Sequence, residues 1–119
     1  MYQYIYKRLR SFAFAQEGLK YLIKNEPNAR IHIIISLMVI IAGFAFDISS
    51  SEWFVIVISI GLVIGFEIIN TSIEKLADHV SPKWNEDIKV VKDLGAAAVL
   101  ITALAAFIIG LIIFIPKVL

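Results

Sequence analysis

At 119 residues the chain has room for one domain at most. Hydrophobic residues make up 60% of it and mean hydropathy is +0.86, well above the roughly 45–50% apolar usage of a soluble domain, which is a membrane protein's composition. The net charge of +1 points to no partner, and no nucleic-acid partner is expected; zero cysteines exclude a disulfide framework and a thiolate metal site. Two isolated histidines, His32 and His79, cannot build a His-rich site within one chain.

Residues 1–25 read as a surface helix. Ile5, Leu9, Phe12, Leu19 and Ile23 recur at helical spacing, and Lys7, Arg8, Arg10, Lys20 and Lys24 supply the other side. With Tyr2, Tyr4, Tyr6 and Tyr21 as interfacial anchors, this pattern suits a helix lying in a membrane surface or packed on other protein. A basic start followed by an amphipathic stretch does not resemble a cleavable signal peptide. Asn25-Glu26-Pro27 breaks the helix, with Pro27 suited to the first turn of the next one and Asn25 or Glu26 near its cap.

Residues 29–46 hold the first expected span, apolar from Ile31 to Phe46 except for His32 and Ser36. Asp47-Ile-Ser-Ser-Ser-Glu52 reads as a short polar turn. The second span starts at Trp53 and passes without a loop signal into Glu67-Ile-Ile-Asn70-Thr-Ser-Ile-Glu74-Lys-Leu-Ala-Asp78, a run that no Gly or Pro interrupts, so one helix is expected over 53–78. Inside it Gly61 and Gly65 form a small-xxx-small pair that permits close helix contact. A turn-rich link follows, and a third span is expected within 88–115. Gly95-Ala96-Ala97-Ala98 makes the first turn of that span slender enough for another backbone to approach.

Lys and Arg number six before the first span, none in the first connection and four in the second. The positive-inside rule then places the N-terminus and residues 67–93 in the cytoplasm and the C-terminus outside. The expected architecture is an all-α integral membrane protein with three spans and an N-terminal surface helix.

At about 100° per residue, Glu67, Glu74 and Asp78 fall within roughly 20° of one line down their helix. A solvated acidic face is the simpler reading of such a stripe, but acids at the edge of a span are costly and point to function. Glu26, Arg30, Asn70, Lys92 and Asp93 also sit within a turn or two of span ends, so all of them could converge at one depth. Acids plus an amide suit Mg²⁺, which typically takes one or two carboxylates and completes its shell from water and phosphates. Lysines suit phosphate oxygens, and a carboxylate at the apolar boundary suits a general base for a hydroxyl. These are the parts of phosphoryl transfer. A phosphate-binding Gly-rich loop, an H-E-x-x-H helix and a nucleophile elbow are all absent. Glu67 and Glu74 lie about 10 Å apart along the helix and cannot grip one ion together. The spacing fits a division of labour, with Glu67 near an acceptor hydroxyl and Glu74 holding metal and phosphates nearer the cytosol.

At these residues the chain resembles the small prokaryotic diacylglycerol kinase family, which includes undecaprenol kinases. The resemblance rests on Glu67-Ile-Ile-Asn70-Thr-Ser-Ile-Glu74 with Asp78, on Lys92-Asp93 with the small residues behind it, and on Asn25-Glu26 with Arg30. It extends end to end. It implies a multi-pass lipid kinase of the bacterial inner membrane, a homotrimer whose active sites are shared between neighbouring subunits, using ATP and Mg²⁺. It further implies that Glu67 is the general base and that Glu26 and Glu74 are the Mg²⁺–ATP ligands. Asn70, Lys92 and Asp93 form a supporting polar shell, with Lys92 on the phosphates and Lys7 a looser nucleotide contact. Arg30 and Asp78 lie beside this set. Lys83, Trp84 and Asn85 occupy the adenine-side link with identities of their own. The acceptor is diacylglycerol or undecaprenol, and His32 reads as a helix-end residue facing headgroups.

Two rival functions stand beside the kinase. A small multidrug-type transporter needs four spans and an acid near mid-membrane, where this chain has three spans and edge acids. A non-catalytic membrane scaffold leaves Glu67, Glu74 and Lys92-Asp93 without a purpose.

Overall fold

Tyr2–Asn25 forms α1, and its end is set by the proline that follows. The computed structural model describes all residues, 1–119. Glu26, immediately before Pro27, takes an extended backbone (φ −114°) while its N–H still donates to the Leu22 carbonyl, as the clash of a proline ring with the preceding residue requires. Pro27 then opens α2 (Pro27–Ala45) in the first turn, where a missing N–H costs nothing. Arg30 reaches back across the corner, its Nη1 donating to the carbonyls of Ile23 (3.2 Å) and Lys24 (3.1 Å). It thereby satisfies acceptors that the end of α1 leaves open. Leu22 and Ala29, each 2% exposed, fill the corner.

The α2–α3 connection turns through Asp47, whose φ of 51° is the left-handed conformation that short polar side chains tolerate. The third helix, α3 (Ser50–Val80), begins ahead of the expected Trp53. The cause is a capping box: Ser49 Oγ accepts from the Glu52 N–H (3.2 Å), and Glu52 Oε1 accepts from the Ser49 N–H (3.0 Å). The polar residues read as a turn are therefore a cap plus a first helical turn. Asn85 caps α4 (Glu86–Val118) in the same way, accepting from the N–H groups of Asp87 and Ile88. Pro116 lies inside the last turn of α4, and the helix runs past the expected end at 115 to Val118.

Three helices, α2, α3 and α4, are long and apolar enough to cross a membrane, with mean hydropathies of 1.8, 2.2 and 3.0. There are no strands. The chain is an all-α integral membrane protein with three spans. Most contact lies between α3 and α4. The molecule measures 51 × 48 × 21 Å. The first dimension matches α4, about 50 Å at 1.5 Å per residue. Three helices side by side at about 8–10 Å spacing cannot reach the second, so α1 extends sideways from the bundle.

Only 13 of 119 residues are buried, so most of the apolar surface faces outward, as lipid permits. The interior cluster of Ile48, Ile56 and Ile113 lies by the Asp47 turn, with Trp53 and Phe114 packed against it. Trp53 fits there because Gly43 lacks a side chain: a Cβ at that position would lie 2.6 Å from the indole. At the same end Lys117 pairs with Glu52 at 3.2 Å, which joins the last turn of α4 to the first of α3. Gly61 and Gly65, the small-xxx-small pair, have nothing within 4 Å. Within one chain they make no helix contact.

Candidate functional site

The acidic stripe of α3 runs from buried to exposed. Glu67 is 4% exposed, Glu74 is half-buried and Asp78 is exposed. One helix thus carries carboxylates at graded depths, because its polar line enters the bundle as the helix does. A carboxylate as enclosed as Glu67 needs a partner. It has one on another helix: His32 Nε2 of α2 lies 3.3 Å from Glu67 Oε1. His32 was expected to face headgroups. It turns inward because α2 and α3 run antiparallel, which brings the early turns of α2 level with the middle of α3.

Glu26 and Glu74 both lie close enough to Glu67 for their charges to act on it. The bend at Pro27 places Glu26 there, half-buried at the start of α2 with no side-chain hydrogen bond spent on its own cap. Asn70, one turn before Glu74, donates its Nδ2 to Glu74 Oε1 at 3.4 Å. Its Oδ1 is the one buried side-chain polar atom without a hydrogen-bond partner. That oxygen sits against Gly95 of α4, in the space a Cβ would occupy. The slender first turn of the third span therefore admits the Asn70 side chain. Only the weak C–H donors of the glycine face the oxygen.

The remaining predicted residues divide into two groups. Lys92 pairs with Asp78, linking α4 to α3 at the outer edge of the stripe. Asp93 bonds Lys89 at 2.6 Å on the exposed face of α4, and Arg30 is engaged with the end of α1. Lys7 is exposed on α1 and its side chain meets none of these groups. The structure thus brings together Glu26, Glu67, Asn70, Glu74 and the Asp78–Lys92 pair, and leaves Lys7 and Asp93 outside. A contact absent from the sequence reading anchors α1: Lys75 Nζ donates to Tyr21 Oη at 2.8 Å and lies 4.6 Å from its ring centroid.

A cleft of about 440 Å³ opens between α2, α3 and α4. Its walls are mainly apolar, from Val39, Ile60, Val63 and Phe107, and His32 lines it as well. The arrangement joins a greasy slot, a buried carboxylate and two further carboxylates with unoccupied oxygens. It can hold an apolar molecule by its chain and present a polar end to acids.

The prokaryotic diacylglycerol kinase family matches residues 13–114. The chain is 36% identical to an undecaprenol kinase of Bacillus subtilis over 108 residues, 91% of this chain and 88% of that protein. It is 33% identical over 112 residues to a diacylglycerol kinase of Synechocystis sp., covering 93% of this chain and 64% of that protein. It is 27% identical over 100 residues to the diacylglycerol kinase of Escherichia coli, 84% and 82% of the two chains. The match over most of its length and the buried Glu67 on an apolar helix lead to one conclusion: the chain belongs to the prokaryotic diacylglycerol kinase family and is an ATP-dependent lipid kinase.

Proposed function

We propose that this enzyme transfers the γ-phosphate of Mg²⁺–ATP to the hydroxyl of a long-chain lipid alcohol, with Glu67 as general base. The observation that carries the reading is the position of Glu67, 4% exposed and one residue-pair contact away from the apolar cleft that His32 lines. A hydrocarbon chain in that cleft brings its terminal hydroxyl to the buried carboxylate. Glu67 takes the hydroxyl proton as the lipid oxygen bonds to the γ-phosphorus and the bond to ADP breaks. Undecaprenol is the first acceptor to test, since the relative at 36% identity carries that name. Diacylglycerol, named for the relatives at 33% and 27%, is the second.

The residues fit Mg²⁺ carried in with a nucleotide. No group of three or more acidic or histidine side chains forms a protein cage, whereas Glu26 and Glu74 supply the one or two carboxylates that such an ion takes beside phosphates and water. Bound there, Mg²⁺ would neutralise charge developing on the phosphates. Asn70 steadies Glu74 through its amide, and Lys92 would offer its ammonium to phosphate on leaving Asp78. Lys7, Arg30, Asp78 and Asp93 complete the polar surround. Six Lys and Arg before the first span, against none in the first connection, support an active site on the cytoplasmic side of the inner membrane. The family likeness supports a homotrimer with shared sites.

The test is transfer from labelled ATP to undecaprenol or diacylglycerol in mixed micelles, with nucleotide binding followed by calorimetry. Glu67→Gln should abolish turnover with ATP affinity nearly unchanged, and Glu74→Gln should weaken Mg²⁺–ATP binding. Equal loss of ATP binding in both would overturn the division of roles.

A further inference from the structure

We propose that His32 is a positioning residue for the general base, holding the Glu67 carboxylate in place through the close approach of its Nε2 to Oε1. The inference rests on the reading of Glu67 as the base.

Geometry carries it. The two atoms are 3.3 Å apart, with the Glu67 side chain 6% and that of His32 23% exposed. His32 is the one basic side chain within 4 Å of the Glu67 carboxylate, and no hydrogen bond engages its second oxygen. A glutamate on a helix has three side-chain torsions to fix, and at this depth the neighbours are mainly Ile and Val, which supply no direction. A single polar partner on the facing helix restricts the carboxylate group and leaves the other oxygen for the substrate hydroxyl. The imidazole also lines the apolar cleft, so it stands between the place for the lipid chain and the carboxylate. Its backbone is fixed independently: the His32 carbonyl accepts from Ser36 Oγ at 2.7 Å. An oriented group is the usual companion of a catalytic base, and misplacement by about 1 Å can cost on the order of 100-fold.

The pair is tested with His32→Phe, which keeps a flat ring without a donor, and His32→Gln, whose amide N–H reaches a similar distance. Expected are a fall in kcat of roughly 10- to 100-fold for His32→Phe with KM for ATP within about twofold, and recovery of most of that loss in His32→Gln. In a Glu67→Gln background, His32→Phe should add nothing. Parental kcat in His32→Phe, or a His32→Gln as slow as His32→Phe, overturns the proposal. A reading that does not depend on either His32 variant folding is ¹⁵N NMR of imidazole-labelled parent protein in micelles, with His79 as internal reference. The Nε2 signal of His32 should move on Glu67→Gln while that of His79 stays, and an unmoved His32 signal also overturns the pair. If Glu67→Gln itself turns over lipid, the reading of Glu67 as base fails, and the NMR result still decides whether the contact exists.

Discussion

Gly95 shows how a residue without a side chain can govern one that has chemistry. In an open helical position, replacing Gly by Ala stabilises by roughly 0.8–1 kcal/mol, since alanine restricts the unfolded chain. At Gly95 the added carbon would meet Asn70 Oδ1, and Asn70 in turn bonds Glu74. Gly95→Ala should therefore lower turnover on the order of tenfold and raise KM for ATP, through displacement of the Asn70–Glu74 contact. Gly18→Ala is the matched control, because nothing lies within 4 Å of it. It should leave turnover unchanged and raise thermal stability in micelles slightly. Equal behaviour of the two variants would mean that the Asn70 contact does not matter.

Within each helix, spacing already reveals much at the scale of elements. The alignment of Glu67, Glu74 and Asp78 follows from the helical period alone, and so does their placement at the end of an apolar rod. What spacing does not carry is register between helices. The His32–Glu67 contact depends on where α2 stands against α3, and no pattern within either helix fixes that. A lone histidine and a lone glutamate on adjacent antiparallel helices, each facing hydrocarbon, were the available signal. The capping box itself was written in the sequence as Ser49-x-x-Glu52, but it lay in a run of polar residues that reads equally well as a loop. Ser49→Ala should remove about 0.5–2 kcal/mol from the stability of the helix start, measured by denaturant unfolding in micelles. Turnover should stay within about twofold of the parent, because Ser49 lies about 27 Å along the helix from Glu67 at 1.5 Å per residue. A large loss of activity would show that the cap sets the register on which the His32 contact depends.

At the scale of the whole molecule, the site and the structural clamps lie at opposite ends of the bundle. The carboxylates, the Asp78–Lys92 pair and α1 lie at one end. The Ile48, Ile56 and Ile113 cluster and the Lys117–Glu52 pair lie at the other. Such a split suits an enzyme that must open one end to lipid and nucleotide while the other keeps three helices in register. It also makes orientation in the membrane a functional matter, because the proposed mechanism uses ATP at the end with the acids. The reading of that end as cytoplasmic rests on the distribution of basic residues, and the absence of cysteine allows a clean test. Lys83 in the α3–α4 connection and Ser51 near the α2–α3 turn are both exposed, and neither belongs to the carboxylate cluster or the capping box. In an otherwise cysteine-free chain, Lys83→Cys should react with a membrane-impermeant maleimide in inverted vesicles and not in intact cells. Ser51→Cys should show the reverse pattern. If Lys83→Cys were labelled only from outside, the acids would face away from the nucleotide pool, and the charge distribution would have misled the assignment of the active face.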